Sequence, residues 1–231
     1  MYIPKSMEIT DEQTQINFIK SYPFGVLFSY EAPSMFNRKL DDQEMCATHL
    51  PFLFMEDKDG QHKLIAHIAA KNYHGEMLKK NKKCMVVFQG PNSYVSPAWY
   101  PEKKVTHKFV PTWDYTAVHV YGEAKIITDR EKLLEIVAMI SDQQESKRPE
   151  GDKYEPKWSI SDAPEEYIKA LLKNIVGLEI DISKIQAKFK LHQINSPMNV
   201  NGLIKGYEEE LSNDLGKTMA SLTKEYYPKP L

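Results

Sequence analysis

The chain has 231 residues, of which 42% are hydrophobic and 27% charged, a composition typical of globular proteins. Its net charge of −2 gives no general attraction to nucleic acid, and no run of about 18 apolar residues predicts a membrane-spanning helix. Met1–Lys5 does not begin a secretory signal peptide. Two cysteines, Cys46 and Cys84, are too few for a disulfide framework and favour a reduced, cytoplasmic protein.

The first elements are a helix and a strand. Thr10 and Gln13 have the spacing of a capping box, so Asp11–Ser21 is predicted to be a helix. Phe24–Tyr30 is short and rich in β-forming residues, which predicts a strand. Glu31–Glu44 is polar and contains a proline, so we expect a loop there.

Two strands and a short helix are predicted next. Ala47–Met55 has the pattern of a strand that lies at an edge or bulges at Pro51, because proline cannot donate a ladder hydrogen bond. Residues 58–61 predict a hairpin turn into a strand at Lys63–Ala69. Tyr73–Lys80 is predicted to be a helix with a basic C-terminal end.

The middle of the chain predicts further strands. Cys84–Gln89 is almost continuously apolar, which indicates a buried strand, and Gly90–Asn92 is expected to turn the chain. Pro101–Lys108 is expected to be a loop. Val110–Thr128 predicts one long strand or two linked ones, with a bend or bulge at Gly122.

The C-terminal part mixes helices with strand-like segments. Asp129 is predicted to cap a helix, and Pro164 to begin another. Val176–Ile182 predicts a strand, and Lys188–Gln193 is expected to pair near it. Residues 200–226 have a helical pattern interrupted by glycines. The apolar sides of the two capped helices are predicted to consist of Leu133, Ile136, Val137 and Ile140, and of Tyr167, Ile168, Leu171 and Leu172.

These elements predict one mainly β domain with flanking helices, of the α+β class. Six or seven strands fall within residues 1–130, and their connections are too short for regular parallel crossovers. An antiparallel barrel is therefore expected, with a β-sandwich as the alternative. We divide the chain into a barrel core with its N-terminal helix at 1–140, an exposed connector at 141–162, and C-terminal helices with an added strand at 163–231.

The junction at Ala69–Asn72 has the features of an anion site. Asn72 is well placed to cap the following helix, and free N–H groups at a helix start attract anions. Lys71 adds a positive charge beside them. The simpler alternative is that Asn72 only caps the helix and Lys71 is solvated, and the residues alone favour that alternative slightly.

Histidines near this junction leave two interpretations open. Strand alternation would allow His49 and His67 to face a ligand from neighbouring strands, although hydrogen-bonded core histidines are equally consistent. No pair has the spacing of a zinc site. The clustered aromatic residues Tyr94, Trp99, Tyr100 and Trp113 are suited to stacking on a planar ring or to a subunit interface, with core packing as the usual alternative.

Other familiar site patterns are missing from the sequence. There is no Gly-x-Ser-x-Gly elbow, no glycine-rich phosphate loop and no helix-turn-helix with a basic recognition helix. The lysines of 103–108 and 184–190 are more typical of solvated loops than of a DNA-reading surface.

Four motifs together carry a family resemblance. They are Met1–Pro4, the pair Ala47–Phe52 and Ala66–Asn72, Tyr94–Tyr100, and Val110–Tyr115 with Val118-His119. In this order and spacing they resemble the PaiB family of FMN-binding negative transcriptional regulators, from Met1 to about Gln193.

The resemblance implies an antiparallel split β-barrel of the FMN-binding type, like that of pyridoxamine-phosphate oxidases and flavin reductases, assembled as a homodimer. It implies FMN with its phosphate near Lys71 and Asn72 and its isoalloxazine ring along Thr48–Leu50. The implied cofactor-binding residues are Thr48, His49, Leu50, His67, Ile68, Ala69, Lys71, Asn72, Trp99, Tyr100 and Trp113.

Several positions depart from the family pattern. Ala66 stands where a glycine is usual, and an arginine is commoner where Lys71 or Ala70 stands. Asp114 replaces an asparagine after the Pro-Thr-Trp motif. Near the C-terminus the segment 190–195 reads Lys-Leu-His-Gln-Ile-Asn in place of Lys-Leu-Ser-Gln-Asn-Arg.

Two functions follow as expectations. The first is an FMN-binding regulator of transcription, with direct DNA binding supported by neither charge nor motif. The second is an FMN-dependent oxidoreductase that takes electrons from a nicotinamide cofactor, with no catalytic side chain evident in the sequence.

Overall fold

The structure is a computed structural model that describes residues 1–30, 45–211 and 213–228. The loop expected at Glu31–Glu44 lies outside these residues. The chain divides into two compact units. The first unit comprises Met1–Phe18, Gln89–Val118 and Gln186–Leu231, and the second unit comprises Ile19–Phe88 and His119–Ile185.

The described part of the chain contains strands and helices that we number in chain order. They are β1 Glu8–Ile9, α1 Glu12–Ser21, β2 Phe24–Tyr30, β3 Met45–Pro51, β4 Leu53–Glu56, β5 His62–Ala69, α2 Tyr73–Lys80, β6 Lys83–Val95, α3 Lys103–Thr106, β7 Thr112–Ile127, α4 Arg130–Glu145, α5 Glu165–Leu172, β8 Ile175–Lys190, α6 Pro197–Gly206 and α7 Asp214–Tyr226. A π-helical turn, Tyr207–Leu211, follows α6.

The strands form a sheet in the order β3-β2-β6-β7-β8-β5-β4. The pairs β2–β3, β2–β6, β4–β5 and β5–β8 are antiparallel. Strands β3 and β4 stand at opposite ends of this order, yet only Phe52 separates them in the chain. Because consecutive Cα atoms are about 3.8 Å apart, the two ends must meet, so the sheet rolls up.

The strand predicted at Ala47–Met55 is therefore two strands. β3 ends at Pro51, and Phe52 is fully buried, with its ring 5.6 Å from that of Phe88. Pro51 cannot extend the ladder as a donor, which explains why the break comes there.

Glycines in the long strands allow close packing where turns or bends were predicted. The turn expected at Gly90–Asn92 is wrong, because β6 continues to Val95. A Cβ atom on Gly90 would lie 2.5 Å from Thr116 Oγ1. At Gly122, within the single strand β7, a Cβ atom would lie 2.3 Å from the carbonyl oxygen of Asp181.

Other differences concern the ends of elements. Asp11, rather than a Thr10–Gln13 box, caps α1, since its carboxylate accepts the Thr14 N–H at 2.8 Å. A one-turn helix, α3, lies within the predicted loop 101–108. The two segments predicted after position 175 form one strand, β8. On the predicted apolar side of α5, Tyr167 and Leu171 are exposed.

The predicted caps of α2 and α4 are confirmed. The side chain of Asn72 accepts the N–H of His74, and that of Asp129 accepts the N–H of Lys132. Helix α4 runs to Glu145, five residues into the segment expected to be a connector. In the ranges that the structure describes, no helix is both long and apolar enough to cross a membrane.

Replacing Gly90 by alanine should lower the free energy of unfolding by about 1–3 kcal/mol, because the new methyl group would overpack against Thr116 and the Phe18 ring. Gly75→Ala is the matched control. Its Cβ atom would make only an ordinary contact, 3.4 Å from Ile68 Cδ1, within helix α2. Urea denaturation should show Gly75→Ala to be neutral or stabilising, and equal losses in the two variants would contradict the packing explanation for Gly90.

Candidate functional site

The predicted anion site lies in the second unit, where β5 leads into α2. The Ala70 N–H donates to the carbonyl oxygen of Asn174 at 2.8 Å, which ties the end of β5 to its neighbour. The Asn72 N–H donates to the Ala69 carbonyl at 2.9 Å and closes a tight turn. The helix then begins at Tyr73, so the predicted strand-to-helix junction is confirmed.

Asn72 accepts hydrogen bonds from two of the backbone N–H groups at this helix start. Its Oδ1 accepts the N–H of His74, and its carbonyl oxygen accepts that of Gly75, each at 3.0 Å. Within the described ranges, no hydrogen bond engages the N–H groups of Lys71 and Tyr73, and the exposed Lys71 ammonium makes no ion pair. The junction thus presents two backbone donors and one cation.

The residues Thr48–Leu50, which are predicted to lie along the flavin ring, belong to β3 and point alternately to the two faces of that strand. His49 is exposed, and its ring stacks on that of Phe24 at a centroid distance of 6.2 Å. Thr48 and Leu50 alternate with it, and Leu50 is buried. The exposed face of β3 is therefore formed by Ala47 and His49.

The Thr48 side chain faces α2. Its Oγ1 lies 2.7 Å from Nδ1 of His74, and His74 is fully buried. Burial lowers the pKa of His74, so its ring is neutral at neutral pH. His74 lies two residues after Asn72 in the sequence, and no local pattern there predicts its contact with Thr48, because that contact depends on how β3 packs against α2.

His67, on β5, has an unsatisfied ring nitrogen. Its Nδ1 is buried and has no partner among the residues that the structure describes, as is also true of His74 Nε2. Burial lowers the pKa of His67 as well. Of the other predicted residues on β5, Ile68 is buried and Ala69 is exposed. A buried polar atom without a partner requires an explanation, such as a hydrogen bond to a ligand or to a water molecule.

The three predicted aromatic residues belong to the first unit and differ in exposure. Trp113 is 51% exposed, and its Nε1 donates to Asn92 Oδ1 at 3.0 Å. Trp99 is only 8% exposed and packs edge-on against Tyr207, with ring centroids 5.3 Å apart. Tyr100 is 3% exposed. Trp113 alone of the three offers a large exposed aromatic surface.

The first unit also contains a buried cluster of ionisable side chains centred on Asp114, which is fully buried. Its Oδ2 accepts hydrogen bonds from His192 Nδ1 at 2.7 Å and from the Tyr207 hydroxyl at 3.0 Å. The Lys190 ammonium lies 3.6 Å from its Oδ1. On its other side His192 Nε2 contacts the Tyr100 hydroxyl at 2.5 Å.

The protonation states of this cluster follow from its environment. Burial, together with the Asp114 charge, raises the pKa of both Tyr100 and Tyr207, so both remain neutral phenols. His192 adopts a left-handed backbone with φ 62°, which is uncommon for a residue other than glycine. The two ends of the Asp114–His192 contact are 78 residues apart, and the sequence showed them only as separate departures from a family pattern.

No metal centre is evident at either place. Within residues 1–30, 45–211 and 213–228, no three His, Cys, Asp or Glu side chains are grouped so that they could hold a metal ion. The polar groups at the β5–α2 junction are better suited to an anionic organic ligand.

Comparisons with known proteins show which proteins the chain is similar to. A family model described as "Putative FMN-binding domain" matches residues 1–184. The chain is 50% identical over 161 residues to an uncharacterized protein of Saccharomyces cerevisiae, covering 66% of this chain and 95% of the yeast protein. It is 30% identical over 234 residues to protease synthase and sporulation protein PAI 2 of Bacillus subtilis, covering 100% of both chains.

Solved structures share the fold. The flavocytochrome Anf3 of Azotobacter vinelandii matches with a TM-score of 0.54 and 10% sequence identity. The match covers 87% of this chain and 78% of that chain. The expected antiparallel split barrel is thereby confirmed.

Asp114→Ala should lower the free energy of unfolding by about 3–5 kcal/mol, because it leaves the Lys190 ammonium and two buried donors, His192 and Tyr207, without their common acceptor. Tyr207→Phe removes a single hydrogen bond and should cost about 1 kcal/mol. Asp152→Ala, at an exposed position, is the control and should be neutral in the same denaturation experiment. An Asp114→Ala protein as stable as this control would show that the cluster contributes nothing to folding.

Proposed function

This chain belongs to the PaiB family, whose domain model is described as FMN-binding, and on that premise we propose that it binds FMN at the Ala69–Asn72 junction. Family membership indicates the class of ligand, a flavin. It also confirms the resemblance drawn from the four sequence motifs.

One observation carries the choice of FMN and of its position. At the start of α2 two backbone N–H groups have no hydrogen-bond partner in the described part of the chain, and they lie beside the exposed ammonium of Lys71. A terminal phosphate group, with close to two negative charges, matches such donors better than the internal diphosphate of a dinucleotide does. Asn72 orients this helix start through its bonds to His74 and Gly75.

The remaining predicted residues support the rest of the ligand. In this proposal the flavin ring lies along Thr48–Leu50, with His49 on the exposed face of β3. His67 Nδ1, which is buried without a partner in the described part of the chain, is available to a polar atom of the ligand, and Ile68 and Ala69 complete this side. When bound, the flavin would supply the capacity for one- and two-electron transfer.

We further propose that the protein is a homodimer. Trp113 and the neighbouring Tyr94 are 51% and 46% exposed, with ring centroids 6.2 Å apart. Aromatic side chains are enriched at protein interfaces, and the bond from Trp113 to Asn92 fixes the indole in one orientation. Trp99 and Tyr100 are buried and add no exposed area to this surface.

Regulation of transcription is the role that we propose for the FMN-bound protein, as the family resemblance implies. The net charge of −2 argues against strong direct binding to DNA, so regulation through a partner is favoured. Both cysteines are free thiols, which supports a reducing, cytoplasmic location.

An FMN-dependent oxidoreductase is the second candidate. The specific observation in its favour is that His67 and His74, the buried histidines of the junction, are kept neutral by burial. Hydride transfer through a flavin needs positioning and a suitable electrostatic environment more than it needs a charged acid or base from the protein.

Lys71→Ala should raise the Kd for FMN about tenfold, which corresponds to roughly 1.4 kcal/mol for a lost charge-assisted contact. Lys104→Ala removes an equally exposed lysine from α3 and should leave the Kd unchanged. Flavin fluorescence titration measures both. Equal effects would contradict the phosphate position, and an unmodified protein that does not bind FMN would overturn the proposal.

The two candidate functions separate in assays of the FMN-loaded protein. An oxidoreductase should consume NADH at a rate that depends on protein concentration and is abolished by Lys71→Ala under conditions where this variant loses FMN. A regulator should show no such turnover. Salt-sensitive retardation of duplex DNA without NADH consumption would favour the regulator and would also contradict regulation through a partner alone.

A further inference from the structure

His74 joins the two parts of the proposed flavin site. Its backbone N–H donates to the capping side chain of Asn72 at 3.0 Å, which orders the start of α2. Its ring contacts Thr48 Oγ1 at 2.7 Å, and Thr48 belongs to the strand proposed to follow the flavin ring. One residue therefore links the phosphate end of the site to the ring end.

We propose that His74 is a positioning residue that makes flavin binding depend on proton concentration. The neutral imidazole holds β3 against α2, and its protonation destabilises this closed arrangement, because it places a charged donor at the buried Nε2. This inference rests on the proposed function, since it concerns the same site.

The geometry favours the neutral ring with its proton on Nδ1. In that tautomer Nδ1–H donates to Thr48 Oγ1, and Nε2 keeps a bare lone pair. Protonation would place a second, charged N–H on Nε2, a buried atom for which no acceptor exists among the described residues. A buried charged donor without an acceptor is strongly unfavourable.

Charged neighbours do not offset this cost. Helix α2 packs against β2 and β3, and Gly75 approaches Ile68 of β5. Burial lowers the pKa of His74. Among the described residues no ion pair includes its ring, and Glu76 on the same helix pairs with Lys79 at 2.8 Å. The titratable side chains on these elements are Tyr30 on β2, Cys46 and His49 on β3, His62, Lys63 and His67 on β5, and Tyr73, Glu76, Lys79 and Lys80 on α2 itself.

The sign of the pH effect follows from this lowered pKa. In an open state, with α2 away from β3, a solvated His74 would have the ordinary histidine pKa of 6.5. At pH values between the lowered pKa of buried His74 and 6.5, the closed state binds fewer protons than the open state. The contribution of His74 to closure is therefore complete above pH 6.5 and is lost progressively as the pH falls below it.

His74→Asn is the variant that isolates this effect. The amide nitrogen of asparagine can take the place of Nδ1 and donate to Thr48, but asparagine does not titrate. His107→Asn is the matched control, because His107 is exposed, lies in the first unit, and has a left-handed backbone that asparagine tolerates. Any change in the FMN phosphate itself, whose second pKa is about 6, affects all three proteins equally.

FMN fluorescence titrations between pH 5 and pH 8 provide the test. Between pH 7.5 and pH 5.5 the Kd of the unmodified protein and of His107→Asn should rise about tenfold more than that of His74→Asn. Parallel pH profiles for the three proteins would overturn the inference. Thr48→Val, which removes the partner of His74, should weaken FMN binding at pH 7.5 and flatten the profile, and an unchanged steep profile would also count against it.

Hydrogen exchange of the ligand-free protein separates this inference from the proposed function. The exchange rates of the α2 amides are first corrected for intrinsic rates, and the rate in the unmodified protein is then divided by the rate in His74→Asn. This ratio should be about tenfold higher at pH 5.5 than at pH 7.5. If FMN does not bind at any pH but α2 opens in this way, the proposed function fails and the pH-sensitive contact stands. If FMN binds and α2 exchange shows no dependence on His74, the contact is not pH-sensitive and the inference fails.

Discussion

The contact between Thr48 and His74 is the constraint on which the candidate site depends. Strand β3 ends at Pro51, and the sheet rolls up because only Phe52 separates β3 from β4. Helix α2 packs on β2 and β3, and the bond at 2.7 Å fixes it there through a fully buried ring. Because Asn72 immediately precedes this helix, the same contact also determines where the unused N–H groups point.

In the first unit a single carboxylate has the corresponding role. Asp114 collects donors from three parts of the chain: Tyr207 after α6, His192 after β8, and Lys190 at the end of β8. These three residues lie beyond residue 184, where the match to the FMN-binding family model ends. Asp114 itself lies within the match, so this cluster ties the C-terminal segment to residues of the family domain. A buried carboxylate is tolerated there because tyrosine and histidine donate hydrogen bonds to its Oδ2 and the Lys190 ammonium lies 3.6 Å from its Oδ1.

The fold and the family were largely predictable from local patterns. The cap at Asn72, the extent of α2 and the hairpin before β5 follow from residue types within a few positions of one another, and the structure reproduces them. Predictions failed where a glycine is needed because a residue distant in the sequence packs against it. Gly90 was expected to turn the chain, but it permits the approach of Thr116 from a neighbouring strand, and such a neighbour is invisible in the linear pattern.

The sequence by itself determined the order of strands and helices, the cation beside a helix start, and the motifs that place the chain in its family. Only the tertiary structure decided which side chains meet. Thr48 and His74 are 26 residues apart, and Asp114 and His192 are 78 apart, so their contacts depend on strand packing and not on local spacing. Burial then determined the protonation states. Removal from water keeps His74 neutral, and the buried charge of Asp114 depends on the donors around it for its stabilisation.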